Sequence, residues 1–392
     1  MAGTISRGVR APIIRKGDDI VNITVDSVLQ AAQEEGFSLH DRDVICVTEA
    51  VVARADGNYC TVDNIAEDVR TKLPGTVGVV FPILSRNRFA ICLRGIARGA
   101  KKVVVQLSFP ADEEGNQLVD EDAVMDAGVN PYSDILSVER FTEFFGHPQH
   151  TFTGVNYVEY YTQLIEEEGA EAEIFFGNDP VAMLERADSI ICANIHERER
   201  TRRRLLKAGA KNVVTLCDIM NQPVNGSGFQ PDYGLLGSNK ATEEEIKLFP
   251  KNAQAVAEGI QAEVLARTGV HVEAMVYGDG AFKDPVGKIW ELADPEVAPG
   301  FTSGLAGLPN ELKLKYLADN DFADLSGEAL KEAIRQRIRE KNADLKGQMA
   351  SQGTTPRRVR DLIGSLCDLT SGSGDKGTPI VLVQNYFMNF SD

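Results

Sequence analysis

The stretch "AEIFFGNDPVAMLERADSIICANIHERERTRRRLLKAGAKNVVTLCD" (172–218) decides the fold class. Its apolar runs "AEIFFGND", "SIICANI" and "NVVTLCD" have the length and residue types of buried strands. Between them lie a helix starting at Pro180 and a second helix, "ERERTRRRLLKAG" (197–209). This β-α-β-α-β succession implies a parallel sheet with right-handed crossovers. Such a unit can bind a nucleotide, which admits a dehydrogenase as a third functional class. No glycine-rich turn follows its first strand, which argues against a dinucleotide site. The basic run from Arg198 to Arg204 reads as a solvated helix face.

Upstream, "DVICVTEAVVARADG" (43–57) starts as a strand and closes on a turn. "TVDNIAEDVRTKL" (61–73) has apolar residues at helical spacing after Thr61, with Asp63 and Glu67 facing outward. "VGVVFPI" (77–83) and "KKVVVQL" (101–107) are nearly continuous apolar runs, as in strands buried on both faces. From 108 to 170 the text is polar and rich in loops. Downstream, Thr242 and Glu245 form a capping-box pattern that predicts a helix start. Near the end, "TTPRRVRDLIGSLCDL" (354–369) places Pro356 just inside a helix, with Val359, Leu362, Ile363 and Leu366 on one face.

The 392 residues are 43% hydrophobic and 25% charged, a soluble globular profile that allows two or three domains. A formal net charge of -17 argues against nucleic-acid and anionic-membrane partners. No apolar run reaches the roughly 18 residues a membrane span needs. The N-terminus lacks a signal-peptide core, so the cytoplasm is the expected location. The six cysteines include no Cys-x-x-Cys pair and mostly sit in apolar runs, as small hydrophobes do. His147 and His150, in "GHPQH", fit a loop better than a metal site.

Three motifs carry chemistry. In "MVYGDG" (275–280), Asp279 stands between glycines at a strand end, where a carboxylate can hold a hard cation such as Mg²⁺ together with substrate phosphates. Asp284 follows as a second ligand or a turn residue. "GSGDKG" (372–377) lies between a helix and a strand, which rejects the Rossmann reading; a phosphate-cradling loop or a plain tight turn remains. In "YGLLGSNKATEEE" (233–245), Asn239 and Lys240 precede the expected helix N-terminus, a place for an anion or an ordinary helix entry.

The motifs "RAPIIRKGDDIVN", "DVICVTEAVVARADG", "GLLGSN", "MVYGDG" and "DLIGSLCDLTSGSGDKGTPIVLV" stand in the order found in the coenzyme F420-0:γ-glutamyl ligases, which this chain resembles over roughly 5–100 and 225–392. The resemblance implies an α/β fold with a mixed α+β core from residues 1–104 and 223–392; the segment 105–222, which the resemblance does not cover, reads from its β-α-β-α-β text as an inserted parallel-sheet α/β subdomain. It implies a homodimer that uses GTP (or ATP) with Mg²⁺ or Mn²⁺ to join L-glutamate to a small carboxylate acceptor. Arg54 falls where the family has a nucleotide-contacting lysine, Asn239 on a nucleotide-contacting asparagine, and Asp279 on the strand-end metal aspartate. Gly372, Gly374, Lys376 and Gly377 fall on the glycine-rich nucleotide loop, and Lys240 joins Arg54 and Lys376 as a phosphate clamp. Leu236 and Ser373 replace two acidic metal ligands of the family, with Asp375 placed to substitute for the second. Gly280 replaces a threonine.

The expectation is a cytoplasmic, nucleotide- and metal-dependent glutamate ligase. The metal would sit at Asp279 with Asp284 or Asp375, and the acceptor would be of the coenzyme F420 or folate type. The rival is a nucleotide-binding relative that has lost the chemistry.

Overall fold

The computed structural model describes residues 3–147, 149–150, 153–279, 294–351, 358–371 and 375–392. Asp284, Pro356, Gly372, Ser373, Gly374 and Gly280 lie outside the described residues.

The core is a five-stranded mixed sheet in the order Ile5–Val9, Ile380–Gln384, Val44–Thr48, Glu273–Tyr277, Gly300–Phe301. Val44–Thr48 runs parallel to Glu273–Tyr277 and antiparallel to Ile380–Gln384. The two-residue period of a strand divides its side chains between two cores. Ile45 and Val47 face the helices Ile20–Glu35 and Ala253–Thr268, alongside Val28, Val256 and Ile260. Val44 and Cys46 face the helix Val359–Ser371 through Ile363 and Cys367. A sheet covered on both faces needs apolar residues at nearly every position, and "VICVT" supplies them.

The second sheet has six strands in the order Leu136–Ser137, Glu171–Phe176, Lys102–Leu107, Val77–Val80, Ser189–Cys192, Asn212–Thr215. All neighbours are parallel except the first pair. Val77–Val80 is one of its two central strands and lies N-terminal to the expected boundary at 104/105; Lys102–Leu107 spans that boundary. Both strands are buried on two faces and find partners only in the parallel unit, so that unit begins earlier than residue 105. Among its described residues the polar 108–170 segment holds the helices Glu121–Asp126, Val138–Phe145 and Tyr157–Glu167, anchored by buried Val124, Phe141, Tyr157 and Tyr161.

Three local readings are corrected. The capping-box pattern at Thr242 does not start a helix: Asn239–Lys240 and Glu245–Lys247 form a hairpin that pairs with Tyr59–Thr61. The Thr242 hydroxyl accepts from the Glu244 and Glu245 N–H groups within the turn. Pro250 disfavours helical geometry at Phe249, and the helix starts only at Ala253. The segment after Val44–Thr48 continues into a short helix, Glu49–Asp56, capped by Thr48 and closed by Gly57 in the left-handed region. The expected helix from Pro180 is a 3-10 segment, Pro180–Glu185.

Candidate active site

Asp279 stands immediately past the strand Glu273–Tyr277. The Gly278 N–H donates to the Val297 carbonyl (2.8 Å) and the Asp279 N–H to Asp294 Oδ2 (3.0 Å). A Cβ on Gly278 would lie 2.8 Å from that same Asp294 oxygen, so only glycine lets the two acids approach. Arg88, at the start of the helix Phe89–Gly99, binds both: its guanidinium donates to Asp294 Oδ1 at 2.6 Å and to Asp279 Oδ2. Asp294 is 1% exposed and Asp279 37%, so the pair has an inner, structural carboxylate and an outer, reachable one.

A second ion pair lies behind this one. Glu49, buried at the first position of its helix, accepts from Lys247 Nζ at 3.0 and 3.1 Å. Burial pushes the Glu49 carboxyl up to about 7, against the pull of Lys247. The Asp279 carboxyl is also raised, first by burial and then by the charge of Asp294, with Asp368 and Glu49 adding to it and Arg88 opposing. A group of carboxylates that force one another toward the neutral form is a place where an added cation gains energy.

Two cavities meet here. One, of about 570 Å³, is lined by Thr48, Arg54, Asp279, Asp368 and Gly377 among others. The other, of about 650 Å³, is lined by Arg54, Tyr59, Asn239, Lys240 and Lys247. Arg54 projects from the helix Glu49–Asp56 into both, and Ala50 and Val51 of the same helix form the shared wall. Arg54, Asn239, Lys240, Asp279 and Gly377 are thus brought to one pair of adjoining cavities. Lys240 is held by Glu243 at 2.6 Å. Lys376 lines a different groove, with Arg7 and Arg10, and Asp375 is exposed on the turn before Gly377 without lining either cavity. Leu236 is buried in the hydrophobic core. The turn Gly237–Ser238 meets the helix Phe89–Gly99 through Ser238 Oγ and Cys92 Sγ (3.4 Å); Gly237 has a φ of 75°, and a Cβ there would lie 2.5 Å from Pro295.

Among the described residues, no three His, Cys, Asp or Glu side chains converge as a ready metal site. Glu245 lines the second cavity; the carboxylates that line the first, among the described residues, are Asp279 and Asp368. That donor set fits Mg²⁺ or Mn²⁺ as an ion completed by ligand phosphates, since Mg²⁺ is usually held by one or two carboxylates plus substrate oxygens. His150 is no ligand: it is buried, bonded to Asn116 (3.0 Å) and Thr153.

Sequence reasoning misses Arg88, Asp368, and the Glu49–Lys247 pair. "SRNRFA" carries no motif around Arg88, and its partners lie 191 and 206 residues away. Asp368 sits on the polar side of an amphipathic helix, where an acid attracts no notice. Glu49 could have been found, as an acid just after a strand that is apolar up to Thr48.

No curated protein matches the chain. Among solved structures, the chain is similar to the biosynthetic arginine decarboxylase SpeA from Campylobacter jejuni at 9% identity and a TM-score of 0.15, covering 92% of this chain and 66% of that one; this is too slight to show a common fold. The family model described as F420-0:Gamma-glutamyl ligase matches residues 8–385, nearly the whole chain and all of the 105–222 segment. The chain therefore belongs to the F420-0:gamma-glutamyl ligase family, whose members are ligases forming gamma-glutamyl amide bonds.

Proposed function

We propose that the protein is a nucleotide- and divalent-metal-dependent ligase that adds L-glutamate, through an amide bond, to a carboxylate acceptor of the coenzyme F420 type. The observation that carries this reading is the pair of cavities joined at Arg54, with carboxylates at one end and Asn239 and Lys240 at the other. The adjoining volumes suit a nucleoside triphosphate lying across Arg54, its base toward Asn239 and its phosphates toward Asp279.

The chemistry follows from what an amide bond needs. A carboxylate oxygen of the acceptor attacks the terminal phosphorus and the nucleoside diphosphate leaves. The amine of L-glutamate then attacks the acyl carbon of the resulting acyl phosphate, losing a proton as inorganic phosphate departs. Arg54 neutralises phosphate charge, Lys240 anchors the ligand's far end, and the enclosed walls align the reacting groups. Asp279 and Asp368 would hold the divalent ion, which supplies charge neutralisation on the phosphates. Arg88 keeps Asp279 in place between ligand-binding events. GTP or ATP serves as phosphoryl donor in this reading, folate-type acids are the alternative acceptors, and the enzyme works as a cytoplasmic homodimer. Among the described residues no helix is long and apolar enough to cross a membrane.

A second reading is a relative that binds nucleotide without making amide. It is favoured by buried Leu236 and by the hold of Arg88 on Asp279. Product mass spectrometry separates the two: purified protein with GTP or ATP, Mg²⁺ or Mn²⁺, L-glutamate and a panel of F420-type and folate-type acids should yield an acceptor heavier by one glutamyl unit. Metal-dependent nucleotide binding with no such product would decide for the second reading.

A further inference from the structure

The parallel subdomain has a crevice of its own, about 480 Å³, remote in the sequence from Asp279 and Arg54. The chain winds outward from Val77–Val80 through Lys102–Leu107 to Glu171–Phe176, then returns to Ser189–Cys192 on the other side of Val77–Val80. The loops that follow these strands diverge at that reversal, and in open α/β sheets such a point at the carboxyl ends of the strands is where ligands bind. Phe81, Phe109, Asn178 and Asn194, which follow the strands here, all line the crevice.

Two observations bear on what it takes. Asn194 is 3% exposed; its amide donates to Thr201 Oγ1 at 3.2 Å, while its carbonyl oxygen has no hydrogen-bond partner among the described residues. A buried acceptor left without a donor is destabilising, and a ligand N–H would relieve that. The usual phosphate position is already filled. Glu113 accepts from the N–H groups of Ile195 (2.6 Å), His196 (2.9 Å) and Glu197 (2.7 Å) at the start of the helix Arg198–Lys207. The two cations of that helix that line the crevice are paired, Arg200 with Glu197 (2.7 Å) and Arg204 with Asp179 (3.0 Å). Phe81, held at a φ of 56°, Phe109 and Tyr132, which is 89% exposed, give the crevice aromatic surfaces among polar and charged neighbours.

We infer that this crevice is a second small-molecule site, for an uncharged planar nitrogen heterocycle of about nucleoside size, with a ring N–H donating to Asn194 and its face against Tyr132. The carboxylate of Glu113 occupies the place of a diphosphate and so excludes dinucleotides.

The test is calorimetry on the full-length protein with guanosine, adenosine and NAD⁺ as probes. At least one nucleoside should bind, and more tightly than NAD⁺. Loss of the Asn194 contact in Asn194→Leu should weaken that nucleoside roughly 10-fold, the equivalent of one hydrogen bond to a buried acceptor. Tyr132→Ala, a surface change that leaves folding alone, should weaken it roughly 5-fold through lost stacking. Asn239→Ala, at the base end of the paired cavities, should leave it within about 2-fold, which distinguishes this site from the ligase site. Absence of nucleoside binding, tighter binding of NAD⁺, or sensitivity to Asn239→Ala with indifference to both crevice variants overturns the inference.

Discussion

Arg88 holds Asp279 with one arm of its guanidinium and Asp294 with the other, tying the start of one helix to the end of a strand 191 residues away. The planar fork suits two carboxylates at once, which a lysine cannot match. Arg88→Leu should therefore destabilise the protein by about 3 kcal/mol, because Asp294 remains buried without its cation. Arg88→Lys should recover part of that. Urea denaturation of both variants checks this, and equal stability of Arg88→Leu and the parent would refute it.

Asp279→Asn should leave the fold intact, since the residue is 37% exposed and an amide can still accept from Arg88. It should abolish metal-dependent nucleotide binding, because a hard cation loses most of its attraction when a carboxylate becomes neutral. Calorimetry with nucleotide, with and without Mg²⁺, reads this directly; unchanged metal dependence would sink the assignment of Asp279.

The raised carboxyls of Asp279 and Glu49 set the sign of the pH response. The folded state keeps protons that the unfolded chain has already released above its ordinary carboxyl range. Stability of the ligand-free protein should thus fall as pH rises from about 4.5 toward 7, the span over which Glu49 titrates. Glu49→Gln should flatten that slope. Mg²⁺ should bind better as pH rises, because it must displace the proton of Asp279. Thermal unfolding across this pH range, with and without Mg²⁺, checks both signs, and stability that climbs with pH in the ligand-free protein contradicts the argument.

How much was legible follows from where the information sits. The apolar runs of both sheets could be read because burial on two faces leaves a continuous signature, as in "VICVT" and "VVVQL". Strand order could not: Val77–Val80 and Lys102–Leu107 belong to the second sheet by pairings with residues as distant as Ser189. The hairpin at Thr242 was misread because a threonine followed by an acid three residues on suits a turn as well as a helix cap, and pairing with Tyr59–Thr61 settled it. Asp279 was legible from its flanking glycines, one of which is needed for the approach of Asp294. Arg88 was not, because its role depends on partners brought together only by the fold.

Gly278 gives a backbone test of the same corner. In Gly278→Ala the new Cβ would sit 2.8 Å from both Asp294 Oδ2 and the Glu296 carbonyl. The strand end must shift, at a cost of about 1–3 kcal/mol. Asp294 should lose its bond to the Asp279 N–H, and nucleotide affinity should drop with stability. Parent-like values for both in Gly278→Ala would show that the acids do not need this close approach.

Arg54 and Lys376 separate the two candidate phosphate clamps. Arg54 lines both adjoining cavities, whereas Lys376 lines the groove bounded by Arg7 and Arg10. A nucleotide lying across the cavities passes Arg54 wherever its phosphates rest, so Arg54→Ala should weaken nucleotide about 10- to 100-fold, the value of a charge-assisted hydrogen bond or two. Arg54→Lys should retain most of the affinity through its charge while losing the bidentate part. Lys376→Ala should matter less than about 3-fold, because the exposed side chain lines neither cavity and its charge is screened by solvent. Asp375→Ala should behave likewise, as that side chain is exposed and faces neither cavity. Binding titrations with GTP and ATP rank the four variants. A larger loss from Lys376→Ala than from Arg54→Ala would move the phosphates out of the paired cavities and toward the groove at the sheet's edge strand, Ile5–Val9.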